Sequence, residues 1–474
     1  MRILLVPILL AGLAACDVSH RLGTMPTEPG QRFAALPAEA QQRWPDPGWW
    51  RAFGSSELDG LIAEAAAGNR DLQAAAQRVA QAEAQTRITR AALFPSVDAD
   101  LGVSHGRSSS TNNGSRSRTR TSYSGSLSAS YELDLAGELR DVAEASRLRL
   151  LGSAFAQDTL ALTLTADTAD AYFTLLALRD RLALAQDTLE AARRVLGIVR
   201  VRAAAGQASD LEVQQQLSAV SSQEAAVAEF EGDARRQANA LATLLGRPAG
   251  HLAVATRGLR ELALPPVIAG LPSELLRRRP DLVQAEAELA AAGFDAQAAR
   301  AARFPVVALT ASGGLQSGEL GDLLKLDDAV WSLAGAAVAP VFDAGRLEAG
   351  EDQAVARFQE LAAGYSQAIL TALQDVEDSL VLVATAERTF ALRQAAYRAA
   401  SEAYRIAELR WRTGAADFLS VLQAQQTAIS AADTLTQADL ARFTASVSLY
   451  RALGGGWDEA PAEPLLASVR ARSP

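Results

Sequence analysis

The chain of 474 residues holds one cysteine, Cys16, so no internal disulfide and no multi-cysteine zinc site can form. Its three histidines, His20, His105 and His251, are far apart in sequence, which argues against a histidine metal cluster. A formal charge of −10 disfavours a partner that needs a basic face, nucleic acid above all. Aromatic residues make up only 5% although AVILMFWYC reaches 49%, so much of the apolar content is alanine. That composition suits long, closely packed helices better than an ordinary enzyme core. Proline is missing from 96 to 247 and again from 341 to 460, so nothing in either stretch breaks a helix by ring geometry. No P-loop or HExxH motif occurs, and no enzyme activity is expected. After the N-terminus, no charge-free apolar run approaches the roughly 20 residues a spanning helix requires.

What is present begins with an export signal over 1–15. Arg2 is a short positive region, residues 3–12 are apolar, and Leu13-Ala14-Ala15 are small residues before Cys16. The tetrad ending in Cys16 resembles the bacterial lipobox, whose cysteine becomes the lipid-modified first residue of the mature chain. The alternative is a plain secretory signal with an incidental thiol. Asp17 follows, a residue that in some bacteria retains lipoproteins in the inner membrane.

The chain is then written twice. "NRDLQAAAQRVAQAEAQTRITRAALFPSV" at 69–97 echoes "RPDLVQAEAELAAAGFDAQAARAARFPVV" at 279–307. Three glycines recur at an offset of 208: Gly137 and Gly345, Gly206 and Gly414, Gly246 and Gly454. Units of about 190 residues are too long for a solenoid repeat and indicate a duplicated half-protein. The divisions expected are a signal over 1–15, an extended segment over 16–55, repeats over 56–255 and 273–456, a linker over 256–272 and a tail over 457–474.

Each copy runs through the same elements. A helix is expected over 56–93, with its partner over 273–303. Two alternating segments follow, 96–105 and 122–134 in the first copy, 305–315 and 329–342 in the second. In the first copy Val97, Ala99, Leu101 and Val103 alternate with polar residues, and so do Tyr123, Leu127, Tyr131 and Leu133. A helix with leucines seven apart (Leu175, Leu182, Leu189, Leu196) then runs from 138 to a break at Gly206, and a return helix follows. Unbroken, the outgoing rod is roughly 100 Å long.

A half-buried soluble sheet is the plain account of such strands. Three features point instead to membrane strands. The polar face of 122–132 is nearly all serine, as a water-filled lumen tolerates; Tyr123 and Trp331 suit an interfacial belt; and the chain carries an export signal. Four strands cannot close a barrel, and open edges cannot face lipid, so copies must combine, eight strands from two or twelve from three. The linker 106–121, with Arg107, Arg116, Arg118 and Arg120, is expected to be a solvated outer loop. "RRRPDL" at 277–282 is expected to start a helix at Pro280 rather than to bind phosphate.

The chain resembles the TolC-like outer-membrane efflux proteins, in the lipoprotein branch serving resistance-nodulation-division pumps. The resemblance rests on "WWRAFGSSELDGLIAEAAAGNRDLQAA", "LPSELLRRRPDLVQAEAEL", the Phe94-Pro95 and Phe304-Pro305 pairs, "ELDLAG" and "VFDAG", and the closing "LLG" and "ALG". Together these cover most of residues 45–456. The resemblance implies a mainly α fold with membrane β, a homotrimer whose twelve-stranded barrel in the Gram-negative outer membrane continues into a helical barrel across the periplasm. It implies a passive exit duct for small molecules, no cofactor beyond a lipid on Cys16, and as partners a periplasmic adaptor, an inner-membrane pump and outer-membrane lipid. Gly206 and Gly414 then mark the periplasmic tip, where Arg202, Asp210, Glu212, Arg410, Trp411, Arg412 and Asp417 are candidates for the pore entrance and its gate. Some relatives carry an acidic pair past the second glycine; here Ser420 and Gln423 stand there. A type I protein-secretion conduit and a periplasmic coiled-coil scaffold are the competing readings.

Overall fold

The computed structural model describes residues 32–36, 43–110, 116–270, 272–324 and 329–457. Cys16, the signal and most of the tail lie outside them. Each repeat contributes two helices, a hairpin, and a long helix pair: α1 (Ser56–Gly68), α2 (Arg70–Ala91), β1 (Ser96–Ser110), β2 (Arg116–Leu133), α3 (Glu138–Ala204) and α4 (Asp210–Leu244), then α5 (Leu275–Arg278), α6 (Pro280–Ala301), β3 (Val306–Ser317), β4 (Ala329–Val338), α7 (Arg346–Arg412) and α8 (Phe418–Ala452). The duplication is metrically close. α3 and α7 are both 67 residues long, α4 and α8 both 35, α2 and α6 both 22.

The helix expected over 56–93 is in fact two. Asn69 leaves helical geometry (φ −64°, ψ 129°) and its side chain accepts from the Leu72 amide, capping α2. The break lets α4 abut α2 end to end, where Asn69 Nδ2 donates to the Leu244 carbonyl at 3.0 Å. Gly246 makes this approach possible: its φ is +73°, and a Cβ there would fall on the Gly68 carbonyl. Gly454 repeats the arrangement against the Arg278 carbonyl, where α8 meets α6. Pro280 occupies the first turn of α6, as expected, and Arg279 before it bridges Asp281 (2.7 Å) and Asp375 of α7 (2.9 Å). The protomer is thus a wall of four rods in the order α4/α2, α3, α8/α6, α7.

A belt packs on one face of this wall. Phe53, Tyr172 and Phe173 are fully buried there with Leu58, Leu241 and Leu259, and Trp49 stacks on Tyr450 with centroids 4.8 Å apart. Burying each such side chain contributes about 2 kcal/mol. Phe33 and Leu36 insert against Ile369 and Ala372 of α7, and Glu377 accepts from the Ala34 and Ala35 amides at 2.6 and 2.9 Å. The connection between repeats is strapped down likewise: Arg179 donates to the Val254 and Thr256 carbonyls at 2.8 and 2.7 Å.

Candidate functional site

The four strands form one antiparallel sheet in the order β1-β2-β3-β4. Directly opposed residues share a face, so the register sorts the sheet into two surfaces. One row runs Ala99, Leu127, Gly313, Trp331; the next runs Val97, Ala129, Ala311, Leu333. This face is apolar and bare, with Leu101 89% and Trp331 82% exposed. The opposite face has rows such as Asp98, Ser128, Ser312, Ser332 and, one step away, Ser96, Ser130, Thr310. Its hydroxyls bond across strands, Ser96 to Ser130 at 2.8 Å and Ser312 to Ser332 at 2.9 Å. An apolar face with no protein against it and a hydroxyl-lined face opposite fit a sheet with lipid on one side and water on the other.

Strand limits differ from expectation in two places. β4 ends at Val338 instead of running to 342, because Pro340 has no amide for the ladder. The segment 106–121, expected to be a loop, is mostly hairpin: pairing continues from Gly106–Arg120 to Ser110–Arg116. A polar, serine-rich stretch satisfies its backbone in a two-stranded extension as readily as in a loop, since side-chain polarity does not forbid pairing.

β1 and β4 are both edges of the sheet, and the outer flanks of α2/α4 and of α7 are the corresponding edges of the helical wall. The far side of α7 presents Leu370, Val381, Leu392 and Ile406, all exposed. A surface with two open β-edges and an apolar helix flank is incomplete alone.

At the other end, both helix pairs turn through the same motif. Gly206 (φ +70°) donates to the Ala203 carbonyl at 2.9 Å and Gln207 to Arg202 at 2.8 Å; Gly414 (φ +77°) donates to Trp411 at 3.0 Å and Ala415 to Arg410 at 2.7 Å. This is the glycine cap that closes a helix C-terminus. The return helices are capped at matching positions, by Ser209 in α4 and Asp417 in α8.

The seven candidate tip residues divide by their contacts. Glu212 is the second half of a capping box, its carboxylate accepting from the Ser209 amide at 2.7 Å. Asp417 accepts from the Ser420 amide at 2.7 Å, and the Ser420 hydroxyl and amide hold its carboxyl below the ordinary range. Arg412 pairs with Glu408 at 2.6 Å. Trp411 is buried, its ring 5.2 Å from that of Phe418, in a cluster with Val195, Val199 and Val421. Arg202 lies over the Trp411 ring at 5.0 Å, tying the first helix pair to the second. Arg410 turns back toward the Ala415 carbonyl of its own turn. Asp210, exposed in the first turn of α4, makes no hydrogen bond or ion pair among the described residues.

Above the tip a second tie joins the helix pairs: Arg181 of α3 meets Asp433 of α8 through two bonds, 2.6 and 3.2 Å, and covers the Phe230 ring at 4.5 Å. Sequence reasoning missed it because the partners lie 252 residues apart and share no motif. Among the described residues no group of His, Cys, Asp and Glu is arranged to hold a metal, and no helix is long and apolar enough to cross a membrane.

Comparison with known proteins agrees with this geometry. The family model described as outer membrane efflux protein matches residues 61–247 and 271–455. The pyoverdine export outer membrane protein OpmQ of Pseudomonas aeruginosa is 39% identical over 451 residues, covering 92% of this chain and 95% of OpmQ. The probable outer membrane lipoprotein SilC of Salmonella typhimurium is 30% identical, covering 89% of this chain and 90% of SilC. Among solved structures, the open state of the Neisseria gonorrhoeae MtrE outer membrane channel superposes with a TM-score of 0.82 at 32% identity, covering 90% of this chain and 96% of MtrE. With lipid-ready strands above and a long helical wall below, the chain belongs to the outer membrane efflux protein family and is an efflux channel subunit of the Gram-negative outer membrane.

Proposed function

We propose that three copies close into a homotrimer, in which twelve strands form the barrel and twelve rods the periplasmic tunnel. The observation that carries this reading is the coincidence of edges: β1 and β4 are unpaired on the flanks where α2/α4 and α7 are bare. Each edge strand needs a partner in lipid, and one rotation that pairs β4 with the next β1 also covers Val381 and Leu392. The mass of the detergent-extracted oligomer tests it: three protomers are expected, and a monomer or dimer that still conducts ions across a bilayer overturns it.

The trimer serves as a passive duct for small molecules, receiving them at the tip from a periplasmic adaptor and an inner-membrane pump of the resistance-nodulation-division type. Pyoverdine is the first cargo to test, on the resemblance to OpmQ. Cys16 carries the lipid, a reading that SilC, described as a lipoprotein, supports. A single acyl chain binds a membrane only marginally, whereas a closed barrel inserts on its own account. The variant Cys16→Ser should therefore lose the lipid by mass spectrometry yet keep part of its trimer in the outer membrane.

For the entrance, Asp210 is assigned the leading role among the seven tip residues. Glu212, Asp417 and Arg412 are engaged in caps and a local pair, and Trp411 with Arg202 in packing. Three free carboxylates around a narrow mouth focus the field on passing cations. Single-channel recording of Asp210→Asn should show weaker cation selectivity; an unchanged reversal potential rejects the assignment.

A further inference from the structure

A cavity of about 710 Å³ opens where the helical wall meets the sheet, between α2, α3 and α6. Its walls run from Ala136, just below the end of β2, to Arg147 of α3, a depth of roughly 15 Å at helical rise. The polar headgroup layer of a bilayer is roughly 5–8 Å deep on each side, so the upper part of the cavity lies at headgroup level. Leu135 and Phe94, 69% and 65% exposed, stand beside it as apolar contacts for the membrane boundary.

The cavity faces outward. Asp141 and Glu144 continue along α3 in steps of seven to Leu148, Phe155, Leu151 and Asp158, and the stripe ends against Trp457, whose indole donates to Asp158 at 3.1 Å. Trp457 belongs to the belt side of the wall, and three such belts would fill a tunnel of twelve helices. In the proposed trimer the neighbour packs on the outer flank of α2, where Ile88 is exposed, whereas the cavity opens on the inner side of α2, where Thr86 bonds the Ser146 carbonyl of α3.

Its charges are unevenly satisfied. Arg140 is held by Asp134 at 2.9 Å and Arg147 by Glu144 at 2.7 Å. Arg90, at the end of α2, makes no ion pair among the described residues, and Asp141 accepts no hydrogen bond among them. Leu93 and Phe294 line the remaining wall with apolar surface. One free guanidinium, one free carboxylate and an apolar slot at the membrane boundary form a dipolar receptor.

We propose that this cavity binds the headgroup of a zwitterionic aminophospholipid from the inner leaflet of the outer membrane, its phosphodiester on Arg90 and its ammonium on Asp141. An anionic lipid without an amine would satisfy Arg90 but leave Asp141 facing it. A choline headgroup fits the phosphate half only, since its methylated nitrogen donates no hydrogen bond. Burial pushes the Asp141 carboxyl up to about 6, with Asp134 and Glu144 adding and Arg140 opposing. A bound ammonium relieves that burial cost.

The test is native mass spectrometry of the intact oligomer released from nanodiscs of equal parts phosphatidylethanolamine, phosphatidylcholine and phosphatidylglycerol. The wild type should retain phosphatidylethanolamine about tenfold over the other two. Asp141→Asn should reduce its advantage over phosphatidylcholine to less than threefold. Arg90→Ala should lower retention of all three, whereas Arg87→Ala, which removes the Arg87–Glu83 surface pair on the same helix, should change nothing. Inorganic phosphate at 10-fold excess should leave the lipid in place; its displacement of the lipid would make this a simple anion site and overturn the proposal. Equal retention of the three lipids by the wild type, or a tenfold preference surviving both Arg90→Ala and Asp141→Asn, overturns it too.

Discussion

α3 and α7 are the same helix written twice, equal in length and offset by 208 positions, yet the fold treats them differently. α3 buries residues from Ala143 to Val199, 22 in all, because rods stand on both sides of it and the belt lies over it. α7 buries nine, because its outer flank faces nothing within the protomer. The comparison is sharpest at matched positions. Phe173 is fully buried against Phe53 and Phe443, while Val381 is 54% exposed. Duplication supplied the scaffold twice; position in the wall decided which copy became core and which, in the proposed trimer, becomes interface.

The largest effect should come from charging that interface. Val381→Arg with Leu392→Arg is expected to abolish the oligomer while leaving protomer helicity intact, read by detergent-resistant mass and circular dichroism. Cross-strand closure would survive only if the α7 flank were not a seam. Truncating the matched core residue should act oppositely. Phe173→Ala is expected to destabilise the protomer by about 3–5 kcal/mol, whereas Val381→Ala stays within about 0.5 kcal/mol of wild type in protomer stability.

The glycines give a second pair of matched positions. Gly246 and Gly206 both close a helix of the first repeat with positive φ. A side chain at Gly246 collides with the Gly68 carbonyl, but at Gly206 it meets nothing within 4 Å. Gly246→Ala should therefore cost on the order of 3 kcal/mol and Gly206→Ala only the left-handed strain of about 1 kcal/mol. Equal losses in urea titrations would mean that the end-to-end junction of α4 and α2 does not control stability.

Much of this architecture is legible in the sequence. The 208 offset, the alternating segments and the proline-free stretches mark the repeats, the hairpins and the rods, since each depends on local periodicity. What stayed hidden depends on distant pairs. "GNRDL" contains a helix end and a cap, Gly68 and Asn69, but the apolar pattern runs through it, so one helix was expected where two are found. The break makes sense only once Gly246, 178 residues later, is seen against Gly68. The tip turns were legible as glycines. That Glu212 and Asp417 serve as caps follows from their spacing to Ser209 and Ser420, a signal present in the sequence but outweighed by their charge. The Arg90–Asp141 cavity had no signal, because three helices compose it.

The smallest effect concerns a buried acid. Asp170 of α3 is pushed up to about 7 by burial, with Arg451 opposing and Asp167 adding, and its Oδ1 has no hydrogen-bond partner among the described residues. Its pKa is higher folded than unfolded, so the folded state holds the proton more tightly. The stability it permits is complete below about pH 4 and declines as pH rises to about 7, where the folded carboxyl must ionise. Asp170→Asn keeps the neutral form at all pH values. It should leave stability nearly unchanged at pH 4 and raise it by about 1–2 kcal/mol at pH 8. The matched residue of α7, Asp378, is exposed and takes a hydrogen bond from Gln374 at 3.1 Å. Its asparagine variant should stay within about 0.5 kcal/mol of wild type. Measured side by side in the trimer, the pair asks whether assembly buries the α7 flank as deeply as the fold buries α3: a gain at Asp378→Asn that matches Asp170→Asn would mean that it does.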